Sequence, residues 1–191
     1  MKPILHFEFA IGTGTGGSPP VCCRKPHYGP HESKIIMTQI QVLLDNGWIR
    51  LCKGAWGSSI VFAAKPHQEQ VTNIDGLVWR MCVSYQRLNQ EVILPFEYPI
   101  PRCNDAINNF GDSHGRLYFI SLDTKTGYHQ IGVCFADQTK LAFFGPDRKK
   151  YTFSVMPFGP CNAPAVYTCM MLIFRGEYVD PMIWLIKAAV P

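Results

Sequence analysis

Apolar residues recur three and four positions apart in "HESKIIMTQIQVLLDNG", residues 31–47. Ile35, Ile36, Ile40, Leu43 and Leu44 thereby share one helical face, and Gly47 supplies a stop. The period then shortens. "SSIVFAAK" and "VWRMCVSY" carry the β-branched and aromatic content of strands, joined by "PHQEQVTNIDGL", whose Asn73, Asp75 and Gly76 favour turns. A short helix is predicted at "RCNDAINNF", closed by Gly111. Leu117, Phe119, Ile120 and Leu122 read as a buried strand that ends at Asp123, and Gly127 permits a sharp turn before Tyr128. Beyond "QIGVCF", the segments "KLAFF" and "KYTFSVM" form a hairpin pattern around "GPDRK". Asn162 is placed to cap a last helix through "APAVYTCMMLIF", with Gly176 past its end. Helix, strands, helix, sheet, helix, without internal repeats, is an α+β order.

Composition narrows the class. A chain of 191 residues with 47% hydrophobic and 13% aromatic content can bury a core, which argues against a disordered chain. A net charge of +4 is compatible with nucleic acid without demanding it. The Gly- and Pro-rich stretch 11–30 reads as an arm rather than a packed element. None of the eight cysteines has Cys-x-x-Cys spacing, and "MKPILHFEFAIG" is too short and too broken by His6 and Glu8 for a signal peptide. Reduced intracellular thiols are therefore expected. Cys22 and Cys23 with His27 and His31 lack the second close pair of a zinc finger. The longest apolar run, "PMIWLIKAAVP", contains Lys187 and is far shorter than a membrane span, so no membrane partner is expected.

Asp123 poses the chemical question, because a carboxylate at the end of a buried strand is costly when unpaired. Two readings stand side by side: a turn or helix-start cap accepting backbone N–H groups, or a metal ligand.

Seven blocks in order carry a family resemblance: "LLDNGWIR", "AWGSSIVFAAK", "WRMCVSYQRLN", "YPIPR", "FISLDTKTGYHQI", "KLAFF" and "YTFSVMPFGPCNAPA". From about residue 20 to about residue 175 the chain resembles the reverse transcriptase of LTR retrotransposons, most closely the gypsy class. The resemblance implies the fingers and partial palm of a right-hand polymerase and a two-metal phosphoryl transfer using Mg²⁺. Its implied partners are an RNA template, a DNA primer and deoxynucleoside triphosphates. It makes Asp123 the first catalytic aspartate and metal ligand, with the Thr124 carbonyl as a further ligand. The amides around Thr126 and Gly127 would face the triphosphate, and Tyr128 would be the steric gate beneath the sugar. Arg80 and Lys65 would hold incoming phosphates, and Phe158 with Gly159 would pack against nucleotide and template. Replication in cytoplasmic particles is the localisation it implies.

The pattern also departs from the family. Ser84 and Gln86 stand where the family has an acidic residue and an arginine. The second carboxylate motif, Tyr-x-Asp-Asp, has only "YVDP" at 178–181 to represent it, with Pro181 in place of an aspartate. The expected organisation is an arm over 1–30, fingers and partial palm over 31–176, and a tail over 177–191 that leaves the family pattern. By the resemblance, thumb, connection and RNase H regions are expected to be missing from this chain. The expected function is thus a reverse transcriptase fragment, inactive by itself. The alternative is a non-catalytic nucleic-acid-binding or assembly module that uses Arg24, Lys25 and the "RKK" turn at 148–150.

Overall fold

A computed structural model of the chain describes residues 8–11, 19–24, 26–64, 79–91, 93, 95 and 123–176. The predicted helix at 102–110, the strand at 117–122, Lys65 and the "YVDP" segment lie outside the described residues.

The first helix, α1, spans Pro30–Asp45. Pro30 occupies the first turn, where a missing N–H does no harm, and Glu32 accepts the Gly29 N–H at 2.9 Å. Gly47, at φ +70°, ends the helix in the left-handed region. Ile36 and Ile40 are fully buried and Leu43 and Leu44 pack against the same core, as the periodicity predicts.

Strand β3 (Ser59–Ala64) pairs antiparallel with β4 (Trp79–Ser84) over six residues, from Ser59 with Ser84 to Ala64 with Trp79. A second sheet has the order β2, β7, β6, formed by Ile49–Leu51, Lys150–Phe153 and Phe143–Phe144. The predicted hairpin is present, with Arg148 at φ +64° in its turn. Ser58 joins the two units: its N–H donates to the Ala142 carbonyl at 2.8 Å, and its carbonyl accepts the Phe144 N–H at 3.1 Å. Helix α2, Gln86–Glu91, follows β4 directly.

The remaining elements depart from the sequence pattern in instructive ways. Only Gly132–Val133 of "QIGVCF" is strand, β5, and it pairs in parallel with β1, Glu8–Phe9. The chain then turns into a short helix, α3, Phe135–Gln138. That helix buries Asp137, which accepts the Ile11 N–H at 2.8 Å and the Lys140 ammonium at 2.5 Å. Phe9, Ile11 and Val21 are buried, so these positions near the start join the core rather than hanging free as an arm. Helix α4, Ala163–Phe174, begins where predicted, but the Asn162 side chain makes no capping bond. Asn162 already has helical angles, and its oxygen accepts from the Cys161 thiol instead.

The core is aromatic at its centre. Phe143 stacks on Tyr151 at 5.8 Å and contacts Phe153 at 5.5 Å, with Leu141 and Met156 fully buried beside them. Tyr85 is buried and donates its hydroxyl to the Leu141 carbonyl at 3.1 Å, fastening the end of β4 to this centre.

Candidate nucleotide and nucleic-acid site

Residues 123–130 form a tight turn ending in a 3₁₀ helix, Gly127–Gln130. Its turning residue is Thr126, at φ +51°, and not Gly127. A β-branched residue in the left-handed region is strained, and such strain concentrates at functional sites. Two bonds to the Lys125 carbonyl brace it, from Thr126 Oγ1 at 2.8 Å and from Gln130 Nε2 at 2.8 Å. Gly127 is needed for space. A Cβ there would come 2.6 Å from the Tyr167 hydroxyl, 2.7 Å from its ring and 2.8 Å from Thr124 Oγ1.

The turn carries five of the expected site residues: Asp123, Thr124, Thr126, Gly127 and Tyr128. Asp123 is exposed and Thr124 half-buried, its hydroxyl bonded to that of Tyr167. Tyr128 is half-buried, its ring edge-on to Phe158 at 4.6 Å and to Tyr167 at 5.0 Å. Burial, and secondarily the neighbouring Tyr167, raises the Tyr128 phenol above its ordinary pKa, so it is neutral near pH 7. Phe158, 60% exposed, is a large apolar side chain facing solvent beside the turn. Gly159 adopts φ +110°, and a Cβ there would approach Tyr85 to 3.1 Å and the Val83 carbonyl to 3.3 Å.

Two residues that the sequence did not single out hold this arrangement together. Asn89 donates to the Gly159 carbonyl at 2.9 Å and accepts the Cys161 N–H at 2.9 Å, clamping the 158–161 loop to α2. The signal was available, since Asn89 ends the "YQRLN" block, but no periodicity marks a loop clamp. His129 stacks on Trp48 at 4.5 Å and meets Phe158 edge-on at 5.7 Å. Its Nδ1 is buried and without a partner among the described residues, and burial lowers its pKa below 6.5.

A groove of about 710 Å³ opens alongside, between α1, β4 and the 157–158 loop. Val42, Leu43, Met81, His129, Phe153 and Phe158 contribute its mostly apolar wall. Arg80 lies in β4, opposite Ala63. The substitutions at Ser84 and Gln86 do not interrupt that strand. Gln39 accepts the Met81 N–H at 2.9 Å, and the buried Tyr85 between them anchors its end.

The basic turn is less available than its sequence suggests. Lys150 donates to the Gly54 carbonyl at 2.6 Å and sits over the Phe144 ring, and Lys149 pairs with Asp147 at 3.5 Å. Arg148 and Arg24 are exposed.

Divalent-metal chemistry calls for clustered oxygen ligands. Among the described residues no group of three or more His, Cys, Asp or Glu side chains is gathered. Asp123 and the Thr124 carbonyl are the oxygen donors that the resemblance implies for such an ion.

The fold has close counterparts. Prototype foamy virus protease–reverse transcriptase aligns with a TM-score of 0.68 and 20% identity, over 93% of this chain and 22% of that one. A foamy viral protease–reverse transcriptase described in complex with RNA/DNA hybrid aligns at 0.64 and 18% identity, over 87% of this chain and 20% of that one. In sequence, the Pol polyprotein of transposon opus from Drosophila melanogaster is 32% identical over 168 residues, 86% of this chain but 16% of the polyprotein. The chain thus spans a small part of that relative. An RNA-directed DNA polymerase homolog from Oenothera berteroana is 33% identical over 104 residues, 53% of this chain and 68% of that protein. The family profile described as "Reverse transcriptase (RNA-dependent DNA polymerase)" matches residues 76–179. With the fold, the ordered motifs and these relatives in agreement, the chain belongs to the reverse transcriptase family.

Proposed function

We propose that this chain is the fingers and nucleotide-facing palm of a retroelement reverse transcriptase, binding an RNA template–DNA primer hybrid and a deoxynucleoside triphosphate. The observation that carries the reading is the meeting of Tyr128 with Phe158 at 4.6 Å. It unites two blocks thirty positions apart in sequence at the place where the family handles the incoming nucleotide. The relative solved with RNA/DNA hybrid supports the choice of partner.

In this reading Asp123 and the Thr124 carbonyl would hold one side of a Mg²⁺ site, and a bound ion would supply charge stabilisation at the phosphates. The amides of Thr126 and Gly127 face the triphosphate, while Arg80 and Lys65 hold its oxygens from the fingers. The neutral Tyr128 ring lies under the sugar and opposes a ribose 2′-hydroxyl. Phe158 and Gly159 pack against the nucleotide and template. The proposed boundaries are the fingers and partial palm over 31–176 and a tail over 177–191, preceded by a segment over 1–30 whose Phe9, Ile11 and Val21 pack into the core.

Catalysis needs carboxylates beyond Asp123. "YVDP" supplies Asp180 and a proline, and proline has no side-chain ligand. The family match ends at residue 179, just before this Asp180–Pro181 pair. This chain by itself therefore binds without extending.

A magnesium-dependent primer-extension assay tests the reading. The expected result is hybrid retention without nucleotide incorporation. Incorporation that is lost in Asp123→Asn would show the catalytic set to be complete, against the proposal.

A further inference from the structure

Three contacts converge on Tyr167 from a helix outside the turn. Its hydroxyl bonds Thr124 Oγ1, its ring meets Tyr128 edge-on at 5.0 Å and 86°, and both groups close over Gly127, which has no side chain to keep them apart. Within the turn, two bonds to the Lys125 carbonyl and the stacking of His129 on Trp48 hold the C-terminal part, and none of these touches the Tyr128 ring. The helical bonds of the turn are His129 N–H to the Thr126 carbonyl at 2.9 Å and Ile131 N–H to the Tyr128 carbonyl at 3.2 Å. A strained Thr126 sits at their start.

Such a turn needs an external brace if the Tyr128 ring is to hold one position. Phe158 touches the ring from a solvent-exposed loop, where it is 60% exposed. Tyr167 touches it from the fifth position of α4, a three-turn helix whose Ala163, Ala165 and Met170 are buried in the core. Of the two neighbours, Tyr167 stands on the more rigid element. It also bonds the Thr124 hydroxyl, so one side chain holds the residue after Asp123 and the Tyr128 ring together.

Building on the nucleotide-site reading, we infer that Tyr167 is a positioning residue that sets sugar selectivity by fixing the Thr124 and Tyr128 ends of the turn. Its ring limits tilting of Tyr128 away from the sugar. Its hydroxyl keeps Thr124, and with it the Asp123 backbone, in register with that ring. Selection against a 2′-hydroxyl is steric, and a steric filter weakens as soon as the blocking group can yield.

Two readouts on the whole chain test this. Amide hydrogen exchange is followed in the parent, in Tyr167→Phe, which keeps the ring, and in Tyr167→Leu, which removes it. Loss of one hydrogen bond should speed exchange about five- to tenfold at residues 124–130 in Tyr167→Phe, with strands β3 and β4 unchanged. Unchanged exchange at 124–130, or a uniform rise across the chain, would overturn the inference. The second readout is displacement of a fluorescent deoxynucleotide by dATP and by ATP in the presence of Mg²⁺ and hybrid. The dATP preference should fall about tenfold in Tyr167→Leu and less in Tyr167→Phe. Equal preference in parent and Tyr167→Leu would refute the selectivity role. A parent chain that binds neither nucleotide would sink the nucleotide-site reading and this selectivity with it, while the exchange pattern would still report whether Tyr167 braces the turn.

Discussion

Gly127→Ala is the most informative single change. Its Cβ would lie 2.6 Å from the Tyr167 hydroxyl, 2.7 Å from the ring and 2.8 Å from Thr124 Oγ1, against an ordinary contact limit of 3.4 Å. The carbon thus falls about 0.6 to 0.8 Å short of room on two sides. Forcing one carbon into such a contact costs about 1–3 kcal/mol. Replacing glycine within a helical turn returns about 0.5–1 kcal/mol by reducing the freedom of the unfolded chain. The steric cost is the larger, so Gly127→Ala should destabilise, read as a lower urea midpoint at unchanged slope. With Tyr167→Leu already present the clash is relieved, because Thr124 loses its hydroxyl partner and can rotate. There Gly127→Ala should be neutral or stabilising, a coupling of about 1 kcal/mol or more. An equal penalty in both backgrounds would refute the idea that Tyr167 and Gly127 are fitted to one another.

Other changes test neighbouring parts of the account. Tyr85→Phe removes the buried hydroxyl bond to Leu141 and should cost about 1–2 kcal/mol, and a neutral outcome would show that the bond does not fasten β4. Thr126→Gly relieves a left-handed β-branched residue and should raise stability by about 1 kcal/mol while loosening nucleotide binding, which separates strain from packing in a paired melt and binding assay. His129 has a depressed folded pKa because burial disfavours its charged form. The unfolded chain therefore takes up a proton near pH 6.5 that the folded chain refuses, and stability falls as pH drops from 6.5 toward the depressed value. His129→Phe should flatten that part of the stability–pH curve, and an unchanged slope would assign it to other groups.

What could be read from the sequence depended on whether a local rule governed the element. Helix α1 obeys a 3.6-residue period and closes on Gly47, so its bounds were visible to within a residue or two. The β3–β4 pair was legible for the same reason, and its pairing survives the changes at Ser84 and Gln86 because Tyr85 and Gln39 support it through long-range bonds. "QIGVCF" stayed undecided because its short apolar run is consistent with either strand or helix, and a distant partner decides. Phe9 pairs with Val133 across more than a hundred residues, after which the buried Asp137 is fixed by the Ile11 amide. The site divided in the same way. Asp123, Tyr128 and Phe158 were singled out through motifs, and the structure brings Tyr128 and Phe158 into contact, whereas Tyr167 looked like one more apolar helix position. Its role lies in a contact 43 residues away in sequence. Gly127 was correctly marked as special but for the wrong reason, since closeness of Tyr167 requires it and the left-handed angle falls on Thr126.

Binding of a fluorescent RNA–DNA hybrid by this chain, followed by anisotropy across a series of salt concentrations, tests the central claim most directly. The account predicts saturable binding at low salt whose log affinity falls linearly with log salt, with a slope of only a few, because Lys150 is engaged within the protein and Lys149 faces Asp147. No binding at low salt, or an affinity indifferent to salt, would contradict the assignment of this fold to nucleic acid.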